Sequence, residues 1–179
     1  MPYRRFTRFL VAPDGTRVAY HTHAGNAQED EAESVLSSRP GVLLTNGIGT
    51  SENFWRHIVG DLEQDHRVVH WDYRGHGRSE VSAQGDYALR VHVEDLERVT
   101  EEMMARGDGR PPHHVAFSMG VRVVLELYRR RPELVPAMTL IAGGPATPDP
   151  STWLLPVPGG RGTVARSFQL LTPFVPLVA

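Results

Sequence analysis

The sequence has no cysteine, which excludes a disulfide framework, a thiol nucleophile, an iron–sulfur cluster and a thiolate zinc site. It has no lysine either, all 19 basic residues being arginines. Schiff-base chemistry, an amine nucleophile and the lysine of a phosphate loop are therefore ruled out. Charge of one sign is scarce: 19 basic against 21 acidic residues leave a formal net charge of −2. Such a balance offers no field to hold a nucleic-acid backbone or an anionic bilayer, so neither is expected as a partner. No run approaches the roughly 18 apolar residues of a membrane span. The N-terminal apolar run, Phe9 to Ala12, is too short for a signal-peptide core, and a soluble, cytoplasmic chain is the expectation. What is present, 179 residues with 40% hydrophobic and 22% charged, suits about one globular domain.

Residues 6–24 read as a hairpin. Phe6 to Val11 and Arg17 to His23 favour strand, and the Ala-Pro-Asp-Gly-Thr between them carries a proline that presets φ and a glycine that accepts a positive one. His21 and His23 alternate on one face of that second strand; with no third ligand nearby they read as surface histidines and not as a metal site. Residues 25–40, rich in acidic residues, read as a solvated surface loop. From residue 41 short apolar runs alternate with helical periods. Strands are expected at Gly41–Thr45, Arg67–Trp71, His114–Phe117 and Ala137–Ala142. Helices are expected from Phe54, Trp55, Ile58 and Leu62, from Leu89 to Met103 with Asp86 as its cap, and from Val121, Val124, Leu125 and Tyr128. Arg129 to Arg131 complement the dipole at the end of that last helix. The pattern specifies an α/β fold with a mostly parallel sheet behind an N-terminal antiparallel hairpin. After Gly143 the prolines 145, 148, 150, 156, 158, 173 and 176 break long elements, leaving one short helical face of Val164, Phe168 and Leu171.

The most informative segment is Ala116-Phe-Ser-Met-Gly120, between a buried-type strand and a helix. A nucleophile on a tight strand-to-helix turn needs small neighbours, which Ala116 and Gly120 provide around Ser118. The Met119 N–H opens the helix and can point at a developing oxyanion. A second loop, Thr45-Asn-Gly-Ile-Gly-Thr50, follows the Val42–Thr45 run. Gly47 and Gly49 free its backbone amides, and a parallel sheet places it on the same carboxyl edge as Ser118, so the two loops make an oxyanion hole. A phosphate cradle fits poorly, because neither GxGxxG nor a lysine-bearing loop occurs. A third segment, Asp72-Tyr-Arg-Gly-His-Gly-Arg-Ser79, follows the Arg67–Trp71 run.

With NGIG, DYRGHGRS and AFSMG in this order, the chain resembles the α/β-hydrolase superfamily, in its esterase, lactonase and haloperoxidase-like branch. The resemblance spans roughly residues 6–179, the amino-terminal part of that fold. It implies that Ser118 is the nucleophile, that Ile48 and Met119 supply oxyanion amides, and that Asn46 stands where the family usually has histidine. Asn46, Gly47, Gly49 and Gly120 then support the site. Asp72, Arg74, Gly75, His76, Gly77 and Ser79 form a turn that stiffens it from behind. Serine in place of aspartate at 118 argues against the dehalogenase and epoxide-hydrolase relatives and points to acyl transfer on a small-molecule ester, lactone or related substrate. No metal or organic cofactor is implied.

In that family the acid and then the histidine follow the nucleophile. Here all nine histidines precede Ser118, and the only later carboxylates are Glu126, Glu133 and Asp149. Asp149 is the candidate acid, and His76 the early histidine best placed to substitute as base. The hairpin plus four strands makes six where the family sheet has eight. Residues 1–144 are thus expected to be a truncated core and residues 145–179 the beginning of a cap. Such a chain is expected to be nearly inert alone, with Ala137–Ala142 as an open edge. The alternative is a non-catalytic α/β binding or interaction module derived from a hydrolase.

Overall fold

The structure, a computed structural model, describes residues 5–23 and 37–144. Expectations that fall on 24–36 and 145–179, including most of the acidic loop, the cap, Asp149 and the Val164–Leu171 helix, lie outside the described residues. Among the described residues six strands form one sheet: β1 (Arg5–Val11), β2 (Arg17–His23), β3 (Gly41–Thr45), β4 (Arg67–Trp71), β5 (His113–Phe117) and β6 (Ala137–Ile141), in spatial order β1-β2-β4-β3-β5-β6. β1 and β2 pair antiparallel, as do β2 and β4, while β4, β3, β5 and β6 run parallel. The expected α/β fold with an N-terminal hairpin is therefore the observed one.

Local chemistry explains each element. In the hairpin turn the Ala12 N–H donates to the Thr16 carbonyl at 2.9 Å, and Gly15 has a φ of +87°, a conformation side chains disfavour. β3 and β4 are buried along nearly their whole length because both faces are covered. Leu43, Val69 and Trp71 pack with α2 (Leu89–Ala105) and α3 (Met119–Arg130) on one side. Val42, Leu44 and Val68 pack with Trp55 and Val59 on the other, where α1 (Arg56–Leu62) lies. Along α2, His92, Val93, Leu96, Val99 and Met103 recur at helical spacing and are buried. Burying Leu96 alone contributes about 2 kcal/mol.

Three details differ from expectation. α2 starts after Ala88, and Asp86 lies two residues outside that cap, where its carboxylate accepts from the Ala88 N–H at 2.9 Å. The inward stripe is Trp55, just before α1, and Val59 within it, whereas Phe54 and Ile58 are exposed. Residues 52–55 form a 3₁₀ turn, whose three residues per turn shift the phase of the pattern. His21 and His23 are buried, because β2 is an inner strand between β1 and β4 and not an exposed edge. At the opposite side of the sheet, β6 pairs only with β5 among the described residues, and Leu140 is exposed.

Candidate active site

The chain order around β3 fixes where a site can form. β4 lies on one side of β3 and β5 on the other, and the chain leaving β3 goes to a helix on one face while that leaving β5 goes to a helix on the other, the kind of topological switch at which α/β sheets bind ligands. Ser118 sits at the end of β5 with φ +53° and ψ −113°. Non-glycine residues avoid that region, and it persists only where surroundings over-determine it. Here they do. The Ser118 N–H donates to the Ile141 carbonyl at 2.9 Å, tying the turn to β6, and its own carbonyl accepts from the Val121 N–H at 3.2 Å inside α3.

Two glycines let the neighbouring loop close on this turn. A Cβ at Gly47 would meet Phe117 Cδ1 at 2.8 Å and Ser118 Cβ at 3.0 Å, so Gly47 is in contact with the serine. A Cβ at Gly120 would lie 2.6 Å from the Thr45 carbonyl and 2.7 Å from that of Asn46. The first turn of α3 thus rests on the exit of β3. Met119, at its first position, has no carbonyl one turn back to accept its N–H. Ile48, in the same β3 loop, is largely exposed, and Gly49 has a φ of +70°.

Asn46 is buried and held from three sides. Its side-chain oxygen accepts from the Trp55 indole N–H, its amide nitrogen donates to the Trp71 carbonyl at 3.4 Å, and its backbone carbonyl accepts from the Tyr73 hydroxyl at 2.8 Å. Burial pushes the Tyr73 phenol far above its ordinary value, so it stays a donor. Nothing in the sequence alone marked Trp55 or Tyr73 as partners of this loop, because both contacts form between separate elements.

The Asp72–Ser79 turn is braced from several directions. Asp72 accepts from the Arg78 N–H and pairs with His21 Nε2, both at 2.9 Å. Burial raises the Asp72 carboxyl, but the His21 and Arg78 hydrogen bonds outweigh it and hold the group below the usual carboxylate range. The Ser79 hydroxyl donates to the Asp72 carbonyl at 2.7 Å and accepts from the Ala19 N–H at 2.8 Å. Arg74 forms a buried fork on Asp95 of α2, at 2.8 and 2.7 Å, and also reaches Asp14 at 2.8 Å. Asp95 escaped notice in the sequence, although an acidic residue inside an apolar helical stripe signals a buried partner.

No histidine among the described residues hydrogen-bonds the Ser118 hydroxyl. His76 is exposed, with its Nδ1 3.3 Å from the Arg74 carbonyl. His114 is buried with its Nε2 3.0 Å from the Leu134 carbonyl, and burial takes it down to about 4. His23 and His70 lie together in the sheet, where burial also pushes both down. A serine on a strained turn, with Gly47 of the β3 loop packed against it and no histidine among the described residues in contact, is what these residues bring together.

Comparison with known proteins decides the family. Residues 40–171 match the family described as alpha/beta hydrolase fold. The chain belongs to the α/β-hydrolase fold family. Within that family it is 31% identical over 144 residues to a protein of Mycobacterium tuberculosis named "Probable oxidoreductase EphD", covering 78% of this chain and 22% of that protein. It is 36% identical over 107 residues to a pimeloyl-[acyl-carrier protein] methyl ester esterase of Methylococcus capsulatus, covering 59% of this chain and 38% of the esterase. The hydrolase fold extends over most of the chain. A solved structure from a study of carboxylesterases of Nitrososphaera gargenis superposes with a TM-score of 0.67 at 18% identity, covering 92% of this chain and 53% of that one. The chain therefore spans well under half the length of these two curated relatives. No helix among the described residues is long and apolar enough to cross a membrane.

Proposed function

We propose that this chain is the serine-bearing portion of a hydrolase acting on a carboxylic ester, lactone or related small acyl substrate. The observation that carries the reading is the left-handed backbone of Ser118 with Gly47 packed against it. A hydroxyl on such a turn stands clear of the sheet edge, where it can attack a carbonyl carbon. The Ile48 and Met119 amides stabilise the tetrahedral oxyanion, its collapse breaks the ester C–O bond and expels the alcohol, and water then releases the acyl group as the carboxylic acid. Phe117 stacks on the exposed Phe54 at 4.2 Å beside this turn, giving an apolar surface suited to an acyl chain. The methyl ester esterase among the relatives supports the same substrate class.

Among the described residues no histidine is placed to serve Ser118 as a base. Every histidine precedes position 118, and none of those described touches it. Losing the base of a serine hydrolase lowers turnover by about 10⁶, leaving roughly 10³–10⁴ over water from the oxyanion hole and binding. The same absence favours the second reading, a non-catalytic module derived from a hydrolase. Intact-mass spectrometry after exposure to a fluorophosphonate separates the two. The first reading expects a slow, single adduct that maps to Ser118 and disappears in Ser118→Ala. No adduct at saturating exposure, or the same adduct in the variant, would leave the non-catalytic module standing. Labelling as fast as in an intact serine hydrolase would refute the claim that the base is missing.

A further inference from the structure

The pair of histidines on β2 gains from the fold the ligands that the sequence did not place beside it. β2 and β4 pair antiparallel, so His21 lies directly opposite His70, and their rings stack at 4.3 Å between centroids. Asp72, two residues beyond His70, brings its Oδ2 to 2.9 Å from His21 Nε2. One ring nitrogen from each histidine and one Asp72 oxygen all lie within 4.8 Å of one another. On the open side Glu52, from the 3₁₀ turn after the Asn46–Thr50 loop, places its Oε2 3.9 Å from His70 Nε2.

We propose that His21, His70, Asp72 and Glu52 form a binding site for one divalent transition-metal ion of the zinc class.

Three features support this assignment. The donor set is two imidazoles and two carboxylates, which suits borderline ions such as Zn²⁺ and disfavours Mg²⁺ and Ca²⁺, which take oxygen ligands. Bonds of about 2.0–2.1 Å in a tetrahedron set neighbouring donors roughly 3.3 Å apart, and the His21–Asp72 separation of 2.9 Å lies close to that value. The outer ring nitrogens are also occupied. Thr7 Oγ1 lies 2.9 Å from His21 Nδ1, and His23 Nε2 lies 2.8 Å from His70 Nδ1. Outer partners of this kind fix the tautomer and leave the Nε2 atoms to face an ion.

The route in is also evident. Both histidine side chains are 1% exposed, whereas Glu52 is 35% exposed on its side chain and pairs with Arg5. An ion entering on that side replaces the Arg5 guanidinium as the partner of Glu52, and its two charges match those of the two carboxylates. Four protein ligands leave no open coordination position, so the site is structural. It ties β2, β4, the Asp72 turn and the segment after the Asn46 loop into one unit. The assignment is independent of acyl hydrolysis at Ser118.

The test uses the untagged full chain, stripped with a chelator, incubated with Zn²⁺ and freed of excess metal by gel filtration before elemental mass spectrometry. The expected result is about one equivalent of zinc and a higher thermal midpoint on loading. His70→Gln is expected to lose the zinc, while His57→Gln, at an exposed histidine, keeps it. Substoichiometric zinc in the wild-type chain, or equal retention by His70→Gln, would overturn the assignment by placing the metal on surface histidines. If His70→Gln does not fold, the wild-type chain loaded with Co²⁺ decides. The intense visible bands of a four-coordinate ion support the site, and the weak bands of a six-coordinate ion refute it.

Discussion

Ser118 is held in a backbone conformation that costs on the order of 1–3 kcal/mol for a residue with a side chain. Its φ of +53° is fixed by the hydrogen bond to Ile141 and by the loop pressed against it. Replacing it with glycine removes the Cβ that makes that conformation expensive. Ser118→Gly is therefore expected to raise stability by about 1 kcal/mol in urea denaturation while abolishing fluorophosphonate labelling. A neutral or destabilising result would show that the turn is unstrained. Ser118, Gly47 and Gly120 could be singled out from the sequence because a serine between small residues, after a strand, signals a tight turn by itself. Trp55 and Tyr73 could not, because their value lies in reaching Asn46 from other elements, and no spacing along the chain encodes that reach.

Between elements, the Arg74–Asp95 fork is a buried, two-pronged tie. Arg74 is 2% exposed and Asp95 1% exposed, so removing Arg74 leaves Asp95 an uncompensated buried charge, and removing Asp95 leaves the buried Arg74 with Asp14 alone. Asp95→Ala is expected to lower stability by about 3–5 kcal/mol, read from the shift in the denaturant midpoint. Asp14 also contacts Arg74, so a loss near the lower end would mean that it takes over part of the pairing. β3 and β4 were legible because a short run dominated by Val and Leu or Trp fits a strand buried on both faces. β1, β5 and β6 differ from the reading by only one residue at an end. The inward stripe of Trp55 and Val59 was not legible, because the 3₁₀ turn changes the period from 3.6 to 3 just where the pattern begins. The burial of His21 and His23 depended on which strand takes the inner position beside β1, a choice made by the sheet order and not by the alternation within β2.

For the molecule as a whole, acid is the expected weak point. His114 lies in the core with Nε2 on the Leu134 carbonyl, Nδ1 without a partner among the described residues, and the positive field of His113 nearby. Burial lowers its folded-state pKa from 6.5 to about 4. Between those values the unfolded chain binds the proton and the folded one does not, so stability is full above pH 6.5, falls as pH drops, and levels off near 4. The group alone contributes a loss of about 3 kcal/mol across that window. Urea midpoints from pH 7.5 to 4.5 should show the decline, with a shallower slope in His114→Gln; equal slopes would assign the acid sensitivity elsewhere. The family fold was readable at this scale because three loop motifs fall on one edge of an α/β pattern, an arrangement that chance rarely produces.

The turn at Ser118 is bounded by three missing methyl groups. A Cβ at Gly143 would strike the Ser118 carbonyl at 2.6 Å and Val121 Cγ2 at 2.5 Å, completing what Gly47 and Gly120 begin on the other sides. These glycines answer to backbone and side-chain contact, not to turnover. In a randomised library sorted only for folding, with no chemistry demanded, positions 47, 120 and 143 would still reject every larger residue, so glycine retained there reports the shape of the bend and not what the serine does.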